Sequence, residues 1–401
     1  MSLLSRAVGL ACGAVLIVSP VAAQRTSLPP LRPLGRIIAT AVDSIRQIEN
    51  IRSLSDGRLL VDDDIGDRVL LLDATLRHST VIIGTAGVTP RSYPKMQGVL
   101  LRYLGDSSIF VDRTAVAFLV IDPGGNITRI VAPPIADVEM FAHTPAGLDA
   151  AGRLVFSAAM RPVAGHATAR DPSPEPVWPE SALVLRVSLV SRRLDTLAYV
   201  RTPTVYPRQK ITDSLGFTWS IETENPVPVH DAWASLSDGT IAVVRAQDFH
   251  IDWVSPDGIR SSSKPLPHVW QRWSDSDKAA MVDSARRYLD VHSTGTQCRA
   301  ENGVRRCHVD HAGLPDPSDL PDYQAPFMNV LADAEDNLWI REMPTPESAR
   351  GTIYDRVNRA GEMFDRVQLP GATWIEGFGP GVVYLSASIG NGVSLARARI
   401  R

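Results

Sequence analysis

Six positions in the chain stand at the same distance before a tight turn, and most of them carry an oxygen-bearing side chain. Each lies seven residues before the first turn of its repeat, and the six residues are Glu49, Val99, Thr144, Asp231, Asn329 and Thr373. Carboxylate, carboxamide and hydroxyl oxygens are the hard ligands that Ca²⁺ prefers. If the repeats form a ring, these side chains surround its axis, and Glu49, Asp231 and Asn329 form a candidate metal site. A hydrated channel wall, or a set of side chains that cap the strands, is the alternative interpretation.

Few other residues suggest catalysis. His230 precedes Asp231 and could act as a base at the same rim, although neighbouring side chains of an extended segment point to opposite sides. His308 and His311 have a spacing that can chelate a metal, but they follow Cys307 on an insert, where a polar loop is the simpler interpretation. The nucleophile-elbow, P-loop and zinc-protease motifs do not occur in the sequence. Enzymatic activity is left open, and the sequence leans against it.

The stretch from Asp231 to Ile259 shows which element would position such residues. Its β-branched and alternating apolar runs are separated by turn sequences at Asp238-Gly239 and at Pro256-Asp257-Gly258. With a fourth short run they predict four antiparallel strands joined by tight turns, which is one blade of a β-propeller.

Six such repeats occupy the chain, some at the spacing of about 40–50 residues that is typical of propeller blades and two lengthened by inserts. Their ranges are 44–85, 95–132, 139–200, 228–263, 326–370 and 371–401, with 36–43 completing the last. The last repeat ends after three strands, and the β-branched run from Arg36 to Val42 stands alone near the N-terminus. We therefore predict an all-β protein, a single six-bladed β-propeller over residues 36–401 that is closed by an N-terminal strand. An open sandwich of six hairpins is the alternative.

The insert 264–325, between the fourth and fifth blades, is predicted to contain one short helix. Ser274 is a candidate N-cap with Asp277 three residues later, which is an approximate capping box. An apolar face follows at helical spacing, formed by Met281, Ala285, Tyr288 and Leu289. We expect this face to pack on the side or top of the propeller, and a lid over the central funnel or a partner surface is the alternative.

Four tryptophans lie close together in sequence around the fourth repeat. They are Trp233, Trp253, Trp270 and Trp273. Large aromatic residues between blades usually belong to the core. An aromatic shelf for a sugar or a peptide is the other interpretation.

Three copies of the first turn carry a family resemblance. They are the runs Ser55–Val61, Ser237–Val243 and Glu335–Ile340, and closing turns follow at Asp122-Pro123-Gly124 and Pro256-Asp257-Gly258. With these repeats the chain resembles the six-bladed β-propeller superfamily, near its NHL-repeat and TolB-like members, and in particular exported bacterial propeller proteins of undefined function. The resemblance covers nearly the whole mature chain and implies the fold. It does not choose a function, because the superfamily includes lactonases, lyases and binding proteins.

The functional expectations therefore come from different classes. The first is a binding or scaffold module that uses the central funnel for a small molecule, a sugar or an envelope protein and requires no cofactor. The alternative, implied by similarity to lactonases related to gluconolactonase, is a divalent-metal-dependent hydrolase with Ca²⁺ held by Glu49, Asp231 and Asn329 at the channel mouth. The motifs that surround the metal ligands of those lactonases are not present in this sequence. A structural part of an envelope complex, in the manner of TolB-like propellers, is the third expectation.

Residues 1–23 predict a signal peptide. Arg6 supplies a positive start, Ala7 to Val18 form an apolar core too short to span a bilayer, and Val21-Ala22-Ala23 forms a small-residue cleavage site before Gln24. Residues 24–35 are then a lead-in, and a periplasmic or secreted location is expected. A lipoprotein site at Cys12 is the alternative, and it fits less well because the apolar run continues past that cysteine.

Cleavage would leave two cysteines, Cys298 and Cys307. An even pair in an exported protein indicates a disulfide, here one that closes a hairpin centred on Asn302-Gly303. A metal or redox pair is the alternative, but the C-x-x-C spacing is absent.

Composition and charge exclude further classes of protein. The 28 glycines and 30 prolines follow no fibrous period, which favours many short strands joined by turns. The formal charge of −3 argues against a nucleic-acid partner, which would require a basic face. Beyond the N-terminus no apolar run approaches the ~20 residues that a membrane-spanning helix needs.

Overall fold

The computed structural model describes residues 28–84, 98–112, 114–134, 145–158, 178–212, 218–292, 296–301, 304–309 and 312–400. These residues form six sheets, two separate β-hairpins and one α-helix. The predicted signal peptide, Thr144 and His311 lie outside the described residues. In the part of the chain that is described, no helix is both long and apolar enough to cross a membrane.

We call the six larger sheets blades one to six in chain order. Each of blades one to four is built from four strands that follow one another in the chain. Blade one contains β3 (Ile48–Ser53), β4 (Leu59–Asp63), β5 (Arg68–Leu72) and β6 (Ser79–Ile83). Blade two contains β7 (Val99–Arg102), β8 (Ser108–Asp112), β9 (Ala117–Ile121) and β10 (Ile127–Val131). Blade three contains β11 (Pro145–Leu148), β12 (Arg153–Ser157), β13 (Ser181–Ser188) and β14 (Leu194–Arg201). Blade four contains β17 (Ala232–Ser235), β18 (Ile241–Arg245), β19 (His250–Val254) and β20 (Arg260–Ser262).

The last two blades each recruit a strand from the N-terminal segment. Blade five contains β23 (Phe327–Ala332), β24 (Leu338–Glu342), β25 (Ile353–Val357) and β26 (Met363–Gln368), with β1 (Leu31–Pro33) parallel to β26. Blade six contains β27 (Thr373–Gly379), β28 (Val382–Ile389) and β29 (Gly392–Arg399), with β2 (Ile37–Thr40) antiparallel to β29. The pairing of β2 with β29 is the one that the lone N-terminal run predicts. The parallel strand β1 was not predicted, since the sequence suggested only a lead-in there.

The ring is visible in how the blades contact one another. The first strand of each blade lies beside the first strand of a neighbouring blade, as β27 does with β3 and β17 with β23, so these strands are innermost. Six apolar clusters each join two adjacent blades; one contains Tyr384 and Leu395 of blade six together with Leu59 of blade one. Because each blade buries both faces in this way, its second strand is buried on both sides, as in β4, where all five residues are buried. The predicted all-β, six-bladed propeller is confirmed.

The recurring turn sequence also has a structural role. The Asp106 carboxylate of blade two accepts hydrogen bonds from the backbone N–H of Ser55, at 2.9 Å, and from its hydroxyl, at 2.8 Å. Asp336 of blade five accepts the same two bonds from Ser237 of blade four. The turn aspartate of one blade therefore fixes the turn serine of the blade before it.

The remaining elements lie in two long connections. Residues 202–231 contain β15 (Gln209–Thr212) and β16 (Thr218–Ile221), and residues 263–326 contain α1 (Asp275–His292), β21 (Thr296–Glu301), β22 (Val304–Val309) and a 3₁₀ turn at Pro317–Asp319. A second 3₁₀ turn, Pro346–Arg350, connects β24 to β25.

The helix α1 begins as predicted. The Ser274 hydroxyl accepts from the Asp277 N–H at 3.2 Å, and the Asp277 carboxylate accepts from the Ser274 N–H at 2.9 Å, which completes the capping box. The predicted apolar face is partly wrong, because Tyr288 is 61% exposed while Lys278 and Val282 are buried. The helix is rotated so that Lys278 reaches a hydrogen-bonded site, and Val282 packs on residues of the two long connections.

Candidate functional site

Asp231 lies immediately before β17, with its side chain only 6% exposed. Its Oδ2 accepts from Arg245 Nη1 at 2.7 Å and from the backbone N–H of Arg201 at 2.9 Å, while Oδ1 accepts from the backbone N–H of Ala246 at 3.0 Å. These donors occupy the carboxylate and join the end of β14 to the turn after β18. Asp231 therefore has a structural role, because its carboxylate accepts hydrogen bonds from two separate backbone segments.

The ion pair of Asp231 continues into a short network on blade four. Arg245 Nε also donates to Asp252 Oδ2 at 2.7 Å, and the Ser262 hydroxyl donates to Asp252 Oδ1 at 2.6 Å. Burial opposes ionisation of Asp252, but the hydrogen bonds from Ser262 and Arg245 outweigh it and lower the pKa of this carboxyl group. His250 Nε2 lies 3.1 Å from Asp252 Oδ1. The positive charge of Arg245 is thus shared between the Asp231 and Asp252 carboxylates.

The other two predicted metal ligands lie on the first strands of blades one and five. Asn329 is exposed, and Glu49 is half-buried. Glu49 lies near Glu376 of β27: burial raises the pKa of the Glu376 carboxyl, a hydrogen bond from Ser386 opposes this, and the charge of Glu49 adds to it. Within the described ranges no group of three His, Cys, Asp or Glu side chains could hold a metal ion. The site at Glu49, Asp231 and Asn329 stays a prediction, and Asp231 is the ligand that the geometry supports least.

His230 does not cooperate with its neighbour's carboxylate in the structure. Its Nδ1 lies 2.9 Å from the backbone carbonyl oxygen of Asp231 rather than near the carboxylate. The predicted divergence of the two side chains agrees with this contact.

The tryptophans of the fourth repeat separate into two environments. Trp273 is buried, and Trp233 and Trp253 are partly buried against clusters between blades. Trp270 is 40% exposed. The core interpretation is correct for three of these residues, and Trp270 leads to a different feature.

Trp270 lines a cleft of about 600 Å³. Three parts of the chain form it: the ends of blade strands at Arg201 and Ala246–Gln247, the connection from Thr204 to Val229, and the segment Asp319–Ala325 of the second connection. Two of the lining residues are bonded to Asp231, because the backbone N–H groups of Arg201 and Ala246 donate to its carboxylate. Asp231 thus holds part of the lining of the cleft in place. A volume of this size is typical of small-molecule sites.

Aromatic rings form one side of the cleft. Trp270 and Tyr323 pack edge to face, with ring centroids 6.3 Å apart and an angle of 86° between the rings, and Tyr323 is 47% exposed. Trp270 also contacts the His268 ring, with centroids 5.1 Å apart, and His268 in turn contacts Phe249 of the blade-four turn. The exposed pair is therefore anchored to the propeller through a continuous row of rings.

Several polar groups in the cleft make no hydrogen bond to the described part of the chain. They are the guanidinium of Arg201, the carboxamide of Gln247, the indole N–H of Trp270 and the hydroxyl of Tyr323. All four can donate a hydrogen bond, and all four are on side chains with exposed surface. Such groups are available for a ligand.

The helix holds one wall of the cleft in place. Lys278 Nζ donates to the backbone carbonyl of Leu320 at 2.9 Å and to Asp322 Oδ1 at 2.7 Å, and its side chain is only 7% exposed. The hydrogen bond and charge of Lys278 lower the pKa of the Asp322 carboxyl. Lys278 is a positioning residue, since its two hydrogen bonds restrain the Asp319–Ala325 segment.

A second group of charged side chains, most of them buried, lies on blade five close to His268. Arg366 Nη2 donates to Glu342 Oε1 at 2.7 Å and to Glu347 Oε2 at 3.0 Å, and Asp355 Oδ1 lies 3.4 Å from Arg366 Nε. Burial, together with the nearby Glu342 carboxylate, raises the pKa of Asp355 to about 8. The opposing charge and hydrogen bond of Arg366 do not offset these two effects.

The cleft was missed because most of its residues belong to the two long connections rather than to the repeat. Connections between propeller strands are usually short, and long ordered connections commonly carry function. The length of residues 202–231 and 263–326 was the signal available in the sequence.

No family model matches the sequence, and neither does any curated protein. Among solved structures, the chain is similar to a gluconolactonase from Xanthomonas campestris, with 12% identity, 92% of this chain and 99% of that chain covered, and a TM-score of 0.35. It is also similar to virginiamycin B lyase from Staphylococcus aureus, with 9% identity, 91% and 99% covered, and a TM-score of 0.37. A member of the DUF4221 family from Bacteroides vulgatus shows 8% identity, 92% and 98% covered, and a TM-score of 0.45.

Likeness at this level does not choose among the functions of those proteins. The architecture rests instead on the six sheets, the ring of first strands and the apolar clusters between successive blades. By these features the chain is a six-bladed β-propeller.

Proposed function

We propose that the protein is a binding module whose ligand occupies the cleft beside Trp270. The observation that supports this most is the combination of an exposed aromatic pair with unpaired polar side chains in one concave site of about 600 Å³. Exposed aromatic rings supply contact area, and a few polar groups with free hydrogen-bonding capacity fix a ligand's orientation. The binding site is thus expected in the cleft built by the two long connections, and the central funnel is the alternative location.

The hydrolase alternative has weaker support. It needs Asp231 as a metal ligand, and three donors already occupy that carboxylate. The groups in the described part of the cleft that make no hydrogen bond include a guanidinium, a carboxamide, an indole and a phenol, which are groups suited to binding. Binding without chemistry is the function that this geometry favours.

A thermal-shift screen tests the proposal with two panels, one of oligosaccharides and one of short peptides. A ligand that binds the folded protein raises its melting temperature. We expect at least one panel member to stabilise the wild-type protein, and Trp270→Ala to abolish that shift. Trp178→Ala is the matched control, because Trp178 is 41% exposed and Trp270 is 40% exposed. A stabilising ligand whose shift survives in Trp270→Ala, or the absence of any shift in both panels, would count against the proposal.

We also propose that the protein is exported and that Cys298 and Cys307 form a disulfide. Cys298 of β21 is the direct partner of Cys307 of β22 in an antiparallel hairpin. Opposite Cα atoms in such a pair are about 4.5–5.5 Å apart, within the range of about 4.4–6.8 Å that disulfides span. The basic start, apolar core and small-residue site of residues 1–23 support export.

Mass spectrometry of the protein recovered from outside the cytoplasm tests both points. The mature chain should begin near Gln24, and neither cysteine should react with an alkylating agent before reduction. An intact N-terminus, or alkylation without reductant, is the opposing result.

A further inference from the structure

We propose that the ligand of the cleft is a saccharide that carries a carboxylate, with a sugar ring on Trp270 and the carboxylate on Arg201. This inference rests on the proposed binding function and specifies its ligand class. It follows from which groups in the cleft are free and which are already engaged.

The free groups suit a ring that has an apolar face and a polar edge. A pyranose presents C–H groups on its faces and hydroxyls around its rim. The faces can pack on the exposed indole of Trp270, while the rim lies within reach of planar polar side chains such as the Gln247 carboxamide. Trp270 and Tyr323 pack edge to face, and both keep exposed surface, 40% and 47%, on which a sugar ring can pack.

Arg201 adds the preference for a carboxylate. It is the last residue of β14, its side chain is exposed, and its guanidinium has no ion-pair partner within the described residues. Its backbone, by contrast, is held on both sides, because its N–H donates to Asp231 and its carbonyl accepts from the Asp231 N–H at 3.0 Å. A guanidinium on a fixed backbone is well suited to bidentate contact with a carboxylate.

The cleft also contains two acidic residues, Asp319 and Asp322, which could repel a carboxylate on the ligand. The Asp322 carboxylate is neutralised by Lys278 at 2.7 Å. Asp319 remains as an acceptor, and sugar hydroxyls are donors that such an acceptor can bind. A ligand with both hydroxyls and a carboxylate therefore meets groups of matching character.

A peptide in extended conformation fits less well, because such ligands are held through main-chain hydrogen bonds. Three carbonyl groups of residues that line the cleft are already engaged. The carbonyl of Arg201 accepts from the Asp231 N–H, that of Thr204 from the Asn225 carboxamide at 2.9 Å, and that of Asp319 from the Tyr206 hydroxyl at 3.3 Å. These three carbonyls are not available to a peptide backbone, whereas a saccharide can be held by side chains alone.

Isothermal titration with matched trisaccharides tests the inference. The probes are trimers of galacturonate, glucuronate, mannuronate and guluronate, each compared with the same trimer after reduction of its carboxyl groups. We expect at least one acidic trimer to bind the wild-type protein about 10-fold or more tightly than its reduced form. Arg201→Ala should weaken the acidic trimer by about 10- to 100-fold, which is the range for a lost charge-assisted bond, and should change the affinity for the reduced form little. Trp270→Ala should weaken both forms, and Trp178→Ala neither.

Three results would overturn the carboxylated saccharide. They are equal affinity for the acidic and reduced trimers, an equal effect of Arg201→Ala on both, and no binding by any acidic trimer. The proposed function is judged separately. A peptide or neutral sugar whose binding depends on Trp270 would contradict this inference and keep the binding module, whereas binding that ignores Trp270 would contradict both.

Discussion

Asp231 illustrates how single acidic residues are used in this molecule. It belongs to the column that suggests a metal site, yet it accepts from Arg245 and from two backbone N–H groups. Asp333 is a parallel case on blade five, because it is buried and accepts from the indole N–H of Trp339 at 2.9 Å. A recurring aspartate can mark a position where each blade needs a hydrogen-bond acceptor. Residue type and spacing alone do not distinguish such an acceptor from a metal ligand.

Replacing Asp231 distinguishes the two roles. Asp231→Asn removes the ion pair with Arg245 and turns one acceptor into a donor that faces an N–H group, so we expect it to destabilise the protein by about 1–3 kcal/mol. Urea denaturation with Ca²⁺ and with a chelator measures this effect, and Asn329→Ala is the control, since Asn329 is exposed. The structural role predicts that Asn329→Ala is close to wild type and that Ca²⁺ changes nothing. A Ca²⁺-dependent stabilisation lost in both variants would instead establish the metal site.

Asp355 gives the protein a specific pH dependence. Its pKa rises from an ordinary 3.8 to about 8 on folding, because it is buried beside Glu342. Between about pH 4 and pH 8 the folded state keeps a proton that the unfolded state has lost, so this group makes stability fall as pH rises through that window. Asp355→Asn should remove this component, and the urea midpoints of variant and wild type should diverge as pH increases from 5 to 8. Parallel pH profiles would contradict the assignment.

At the scale of elements, α1 acts as a support for the cleft wall. Lys278→Met keeps the length of the side chain but leaves the Leu320 carbonyl and Asp322 without their donor. We expect faster hydrogen exchange across Asp319–Ala325, measured by mass spectrometry, and weaker binding of any ligand of the cleft. The control is Lys264→Met, because Lys264 is exposed on the same connection. Unchanged exchange in Lys278→Met would show that the wall is held by other contacts.

Elements differ in how well their sequence predicts them. The capping residues Ser274 and Asp277 predict the start of α1 because a cap is a local requirement. Its buried face is not local: Lys278 is buried only because Leu320 and Asp322 offer it partners. The strand β1 has three residues and ends in proline, so it carries no alternation, and only the pairing of Leu31 with Arg366 reveals it.

At the scale of the whole molecule, the two N-terminal strands link blades five and six, because β1 pairs with blade five and β2 with blade six. The bidentate contact of Arg32 with Asp365 holds β1 on blade five, and β2 then supplies the outer strand of blade six. One short segment therefore connects the last two blades with each other. The repeat pattern predicts the closing strand because the last repeat lacks one, and it does not predict that the preceding residues also pair.

A single substitution tests this connection. The backbone N–H of Ala41 donates to the Leu395 carbonyl at 2.7 Å, so Ala41→Pro removes that bond and should lower stability by about 1–3 kcal/mol. Ala41→Ser keeps the N–H and serves as the control. Calorimetric melting should show a lower transition temperature for the proline variant only. If both variants melt alike, the N-terminal strand contributes little to the ring.

The location of the cleft was the least predictable property of the molecule. The six repeats predict the blades because turns and alternating apolar residues have local signatures. Arg201 ends a strand of blade three, whereas Trp270 and Tyr323 lie far apart in the connection 263–326, and only the folded chain brings the three together. From the sequence, an aromatic shelf that includes Trp270 is only the second interpretation, after core packing, and no local pattern links Trp270 to Arg201.

The most direct test of the binding site is ¹⁹F NMR of the protein labelled with 5-fluorotryptophan, titrated with the saccharide and the peptide panels. The chain has eight tryptophans, and the spectra of Trp270→Phe and Trp178→Phe assign the two resonances that matter. If the cleft is the binding site, a bound ligand shifts the Trp270 resonance and leaves that of Trp178 in place. A ligand that binds while the Trp270 resonance stays unchanged, for example by shifting Trp374 on the first strand of blade six, would contradict the account.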